Sequence, residues 1–296
     1  MGRVNQNSNT NERDGLSMKK NIQTFEDTHG QPKIKALKAQ LAAEHAKVEA
    51  LAEVQGKTVV ETSGDCKLVF GLMGDDHFGS LYHDNKSLHG FYDYAKSRGV
   101  KVIYKTGDVL DGHRVYRGQE FELRDLGLDA QVERVRKDHP NNGIITRFIT
   151  GNHDASFKSE AGVVAGRVIQ SARPDMEFLG EEQARVEFQT PNGKFSLMLL
   201  HPGGGSSYAL SYRPQKIVES LEGGTKPDML AIGHYHKADM IPSYRNVCAV
   251  QTGTFQRQTP FMARQGLAAH VGAWIFEVTK GKGHNIIKGE FVAFYV

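Results

Sequence analysis

The chain is expected to fold as an α/β domain on a largely parallel, buried sheet. Three observations lead there. Short apolar runs of strand length alternate with amphipathic stretches of helix length, the pattern of βαβ units. The main apolar runs each stop at a glycine or turn that carries Asp, Asn or His. With 39% hydrophobic and 24% charged residues over 296 positions, the chain holds enough apolar material for a large core, which excludes wholesale disorder.

Residues 1–32 are rich in Asn, Gln, Asp, Lys and Thr without an apolar period, so a disordered arm is expected there. Residues 33–56 form a second segment. Its 33–55 portion, KIKALKAQLAAEHAKVEALAEVQ, has no Gly or Pro and is expected to be helical. Ile34, Leu37, Leu41, Val48 and Leu51 follow a 3-4 spacing that Glu44 and Gln55 interrupt. The seam suits either an amphipathic helix docked on its own domain or a short coiled coil that pairs two copies of the chain.

The main domain is expected over 58–296. Residues 67–73 (KLVFGLM) read as a strand ending at Gly74, and 88–97 as a helix. Residues 100–104 (VKVIY) read as a second strand and 119–137 as a helix with Phe121, Leu128, Val132 and Val135 on one face. A third strand is expected at 143–149, with later ones at 195–200, 229–232 and 247–251. The alternation from 271 to 296 is expected to finish a second sheet.

Composition narrows the function. No stretch approaches the roughly 18 apolar residues of a membrane helix, and residues 1–10 have no apolar signal core, so no membrane role is expected. The 2 cysteines, Cys66 and Cys248, exclude a disulfide scaffold and suit a reducing cytoplasm. A formal net charge of +3 does not by itself argue for nucleic acid, nor against a local basic groove.

The informative residues sit where strands stop. Ligands of open α/β sheets bind outside the carboxyl ends of the strands. Here successive strand ends carry Asp75 and His77, then Asp108 and Asp111, then Asn152, His153 and Asp154, then His201, then His234 and His236. Mixed imidazole and carboxylate donors suit Mn, Fe, Zn or Ni better than Ca or Mg alone. A carboxylate can bridge two cations, and two cations about 3.5–4 Å apart can clamp the attacking and leaving oxygens of a phosphoryl transfer.

Asp-x-His, Gly-Asp-x-x-Asp, Gly-Asn-His-Asp, a lone His and Gly-His-x-His, in this order over 72–255, resemble the calcineurin-like metallophosphoesterase superfamily. The resemblance implies two packed mixed β-sheets flanked by helices, with a two-metal site at one edge. It implies that Asp75, His77, Asp108 and His236 bind one metal, and that Asp108, Asn152, His201 and His234 bind the other, with Asp108 bridging. His153 would be the catalytic histidine and Asp154 its orienter. Asp111 is either a support for a ligand or a turn cap, and Asp76 is expected to be a solvated turn residue pointing away. The run Pro202-Gly203-Gly204-Gly205 after His201 is either a backbone approach to phosphate or a flexible turn.

Gly107-Asp108-Val109-Leu110-Asp111-Gly112, then Tyr116-Arg117-Gly118-Gln119-Glu120 and Glu122-Leu123, are similar to the exonuclease-type small subunit of archaeal D-family DNA polymerases. This implies a Mn-dependent DNA nuclease of the 3′–5′ exonuclease type, with a metal-bound hydroxide as nucleophile. The N-terminal region shows nothing similar to the oligonucleotide-binding domain of such subunits, so the expectation is a stand-alone nuclease. A basic track is then required. Candidates are His113, Arg114, Arg117, Lys158, Arg213, Lys216, Lys237, Arg257 and Arg264, with Tyr116, Tyr208, Tyr212 and Tyr235 as stacking residues. The alternatives are a small-nucleotide or cyclic-nucleotide phosphodiesterase or phosphatase, and an inactive structural subunit.

Overall fold

A computed structural model describes residues 34–43 and 56–295. The arm expected at 1–32 and most of the helix expected at 33–55 lie outside the described residues. Residues 34–43 are helical, and Leu37 and Leu41 on them are exposed. The described residues 34–43 and 56–295 belong to separate units, and the second carries every described strand. Among the described residues no helix is long and apolar enough to cross a membrane.

Strand β1 (Thr58–Thr62) leads into β2 (Lys67–Met73), helix α1 (Asn85–Ser97), β3 (Val102–Lys105), α2 (Leu128–Asp138) and β4 (Ile145–Thr150). Helices α3 (Ser156–Ala161) and α4 (Ala165–Ala172) precede β5 (Met176–Glu181), β6 (Gln183–Thr190) and β7 (Gly193–Leu200). Helix α5 (Tyr212–Ser220), β8 (Met229–Ile232), β9 (Ala238–Tyr244), β10 (Val247–Thr252), α6 (Pro260–Arg264), β11 (Gly272–Lys280) and β12 (Asn285–Ala293) complete the unit.

The strands form two six-stranded mixed sheets, ordered β12-β11-β2-β3-β4-β5 and β1-β6-β7-β8-β10-β9. β2, β3, β4 and β5 run parallel, as do β7, β8 and β10. β2 is apolar on both faces because both are covered. Phe70 and Leu72 enter the core between the sheets, while Met73 faces the helix layer. Phe70 stacks on Phe188 (5.7 Å) and Phe276 (6.1 Å), joining strands of both sheets. α1 begins at Asp84, whose side chain accepts the Ser87 N–H and so satisfies one free backbone donor of its first turn.

Two expectations are corrected. The helix expected at 119–137 is a 3₁₀ turn, Gln119–Phe121, followed after a break by α2. Gly127, at φ 81°, breaks the run, and Phe121 is 82% exposed instead of buried. The C-terminal hairpin β11–β12 does not finish the second sheet. β11 pairs antiparallel with β2, setting Trp274 opposite Leu72, so the hairpin extends the first sheet.

Candidate metal centre

Asp75 and His77 follow β2, Asp108 follows β3, Asn152 and His153 follow β4, His201 follows β7, and His234 and His236 follow β8. The first three strands belong to one sheet and the last two to the other. The loops are stitched together across the seam. The Asp75 N–H donates to Gly107 O (3.0 Å), and the Asp75 carboxylate accepts the His234 N–H (2.9 Å). The Thr106 and Thr252 hydroxyls meet at 2.8 Å.

The turns are strained. Nine described non-glycine residues have positive φ, and five of them are Asp75 (56°), His77 (53°), Asp108 (47°), His234 (77°) and His236 (54°). Such backbone costs on the order of 1–3 kcal/mol per residue and concentrates where a site demands it. Gly151 is required for a different reason. A Cβ there would lie 2.3 Å from Asp108 Oδ1 and 2.6 Å from His201 Nε2.

Three groups of donor atoms result: Asp75, His77 and His236; His77, Asp108 and His153; and Asp108, His201 and His234. His77 Nε2 faces His236 Nε2 at 3.0 Å, and His236 Nε2 lies 3.6 Å from Asp75 Oδ1. Asp108 Oδ2 lies 3.2 Å from His201 Nε2 and 3.9 Å from His77 Nε2. Asn152 Oδ1 is 3.0 Å from His201 Nε2. All seven expected donors therefore converge, and Asp108 sits between the two sets.

The outward ring nitrogens turn the inner ones toward the centre. His77 Nδ1 bonds Asp111 Oδ1 (2.9 Å), His201 Nδ1 bonds Thr106 O (2.7 Å) and His234 Nε2 bonds Gly204 O (2.7 Å). Partners of this kind fix the tautomer of a metal-binding histidine. His236 Nδ1 is buried without a partner.

The charges are tightly coupled. Burial opposes a charge on His77, but the Asp111 hydrogen bond and the carboxylates of Asp108, Asp111 and Asp75 lift its pKa to about 9. Burial likewise opposes a charge on His201, and Asp108 lifts it to about 10. Burial raises Asp75 to about 7, while Asp108, despite burial, is held well below the usual range by His201 and His153. Cations placed between these carboxylates and imidazoles would displace the ring protons. Facing ring nitrogens, buried carboxylates and strained turns all fit divalent ions.

Asp154 departs from expectation. Its carboxylate accepts the backbone N–H groups of Gly151, Val109 and Leu110 at 2.9, 3.2 and 2.8 Å. It straps the β3 and β4 loops together, while His153 Nδ1 bonds the Asp111 carbonyl at 2.6 Å. Asp111 is thus the residue that orients, holding His77 with its carboxylate and His153 with its backbone. Gln256 and Gln119 reach the Asp111 carboxylate at 3.1 and 3.4 Å. Asp76 is also corrected. It is fully buried and paired with Lys105, another fully buried residue.

His77, Asp108, Asn152, His234 and His236 lie along a cavity of about 540 Å³, bordered also by Tyr116, Tyr235, Phe261 and Met262. Of the basic candidates, Lys158, Lys216 and His113 are engaged by Glu181, Glu219 and Glu160. Arg213 donates to Tyr235 Oη (2.9 Å) and Gly203 O (2.8 Å), so the glycine run is tied down at its start. Tyr208 and Tyr212 are exposed and do not border the cavity.

No family model matches the chain. It is 28% identical over 251 residues to a DNA polymerase II small subunit of Archaeoglobus fulgidus, covering 70% of this chain and 50% of that protein. It is 24% identical over 253 residues to the DNA polymerase II small subunit of Halobacterium salinarum, covering 73% of this chain and 49% of that one. The chain spans about half the length of these curated relatives. Among solved structures it resembles GAP50, the anchor in the inner membrane complex of Plasmodium. The TM-score is 0.50 at 13% identity, over 77% of this chain and 85% of that one. The fold is the calcineurin-like metallophosphoesterase fold. The seam between the two sheets gathers the donors, which stand at the ends of β2, β3, β4, β7 and β8.

Proposed function

We propose that the chain is a dimetal phosphodiesterase whose substrate is DNA, degraded from an end in the 3′–5′ sense with Mn²⁺ as the working metal; Fe, Zn or Ni suit the same donors. The observation that carries the hydrolytic reading is Asp108, buried between the two donor groups. Asp75, His77, Asp108 and His236 would hold one cation, and Asp108, Asn152, His201 and His234 the other. Bound there, the pair would supply positive charge to a phosphate and acidify water.

The remaining roles belong to the chain itself. His153, anchored through Nδ1, leaves Nε2 for the cavity, where it can manage the proton of the departing oxygen. Asp111 holds both His77 and His153 in register. The strap made by Asp154 keeps the two loops that carry Asp108 and Asn152 at a fixed spacing. DNA as substrate is supported by the relatives' name as DNA polymerase II small subunits.

A small-nucleotide phosphodiesterase is the second reading. It is favoured by the walled cavity and by the carboxylates that already engage several basic candidates. An inactive structural subunit is disfavoured because all seven donors are present and converge. The test is cleavage of end-labelled single- and double-stranded DNA with Mn²⁺, run beside bis-(p-nitrophenyl) phosphate and cyclic nucleotides, with Asp108→Ala as the blank. Laddering that vanishes in the variant supports the nuclease. Turnover of the small esters alone moves the substrate to nucleotides, and turnover of nothing removes the enzymatic reading.

A further inference from the structure

Glu122 is buried, 4% exposed, and makes no ion pair among the described residues. Its two oxygens are used on two different segments. Oε2 accepts the Tyr116 hydroxyl at 2.8 Å, and Oε1 accepts the backbone N–H of Phe261 at 3.1 Å. This clamp sets the two rings face to face, with centroids 4.4 Å apart and planes 24° apart. Both side chains are only half buried and both border the cavity, where Met262 and Leu267 continue the apolar surface. The Tyr116 ring lies 6.2 Å from that of His153, so the wall stands beside the reacting centre. The rim near His234, by contrast, is made of Gly204, Gly205 and Ser206.

The two hydrogen bonds of Glu122 thus hold an aromatic wall in place next to the donor atoms. We infer that the Tyr116–Phe261 wall binds the base of the nucleotide whose phosphate is cut, and that this base is unpaired. A phosphate over the donor atoms and a flat aromatic ring against the wall describe one nucleotide. A cavity of about 540 Å³ is the size of a single small-ligand site, which suits one unpaired nucleotide. The inference rests on the phosphodiesterase reading and narrows its substrate to the unpaired terminal nucleotide of a strand.

Two measurements separate the inference from that reading. The first is kcat/KM with Mn²⁺ on single strands that end in a base or in an abasic site. The wild type should prefer the base by about tenfold, as expected of one stacking contact. Phe261→Trp should keep the preference, whereas Phe261→Leu, apolar but not flat, should bring the ratio close to one. The second is fluorescence of a terminal 2-aminopurine with protein in EDTA, where no cleavage is needed. The wild type and Phe261→Trp should quench it and Phe261→Leu should not. Uncut DNA with quenching that depends on Phe261 sinks the nuclease and keeps the base wall. Cleaved DNA with a wild-type ratio near one, or quenching equal in wild type and Phe261→Leu, overturns the inference and leaves the hydrolytic reading standing.

Discussion

Asp111 and His77 meet at 2.9 Å with both side chains buried, and this contact decides which nitrogen of His77 faces the candidate centre. The Asp111 carboxylate accepts a hydrogen bond from Nδ1–H and leaves Nε2 directed at His236 and Asp108. Asp111→Asn should preserve the shape and remove the charge. Loss of such a partner typically lowers metal affinity by about 10–100-fold. Mn²⁺ content measured across a series of buffered free-metal concentrations should shift by that factor. An unshifted binding curve would remove Asp111 from the site.

Asp108 and His153 should separate binding from turnover. Asp108→Ala removes the one carboxylate shared by two donor groups, so both bound metal and activity should be lost. His153→Ala should retain metal, because the remaining donors of both sets are untouched, while turnover falls by about 10²–10⁴. Metal analysis and rates on the same preparations check both. If Asp108→Ala keeps its metal and its rate, the assignment of the centre is wrong.

Lys105 and Asp76 form a buried ion pair, with Asp76 set in the chain between the donors Asp75 and His77. Burial pulls the Lys105 pKa down, and the charge of Asp76 opposes that pull. Lys105→Met should leave a buried carboxylate unpaired and cost about 3–5 kcal/mol. Adding Asp76→Asn should recover much of the loss, because the orphaned charge is gone. Urea unfolding of wild type, single and double variants measures this. A double variant no more stable than Lys105→Met would show that the pair acts through packing alone.

The donors are legible in the sequence because each sits at the end of an apolar run, where strand pattern and chemistry coincide. Asp75, His77, Asp108, Asn152, His201, His234 and His236 all arrive at the centre for that reason. Their supports are harder to read. Gln256 follows β10 and bonds an aspartate 145 positions away, a contact that only the packing of the sheets creates. Asp76 reads as a solvated turn because its partner Lys105 lies 29 positions away and only the pairing of β2 with β3 brings the two together. Asp154 follows His153 directly, yet the loop after β4 aims its carboxylate at backbone N–H groups instead. The sheet to which the hairpin β11–β12 belongs is not legible, because alternation reports a half-exposed strand and not which neighbour it pairs with.

His139 should make the fold sensitive to acid. It is buried, with Nδ1 against Pro140 O (3.1 Å) and Nε2 against Tyr92 Oη (3.2 Å). Burial, reinforced by the charges of Lys105 and Arg173, holds its pKa well below the ordinary 6.5. The folded state therefore keeps the ring neutral where the unfolded chain takes up a proton. The unfolded state binds more protons in that window, so stability rises with pH and is lost as pH falls below 6.5. The slope from this residue approaches about 1.4 kcal/mol per pH unit. His83, also lowered by burial, adds to the same trend. His139→Gln should be less stable than wild type at about pH 8, where the native contacts count in full. Its stability should decline less steeply below 6.5, because one of the titrating groups is gone. Urea unfolding at a series of pH values gives both slopes, and parallel curves would show that His139 titrates alike in the folded and unfolded chain.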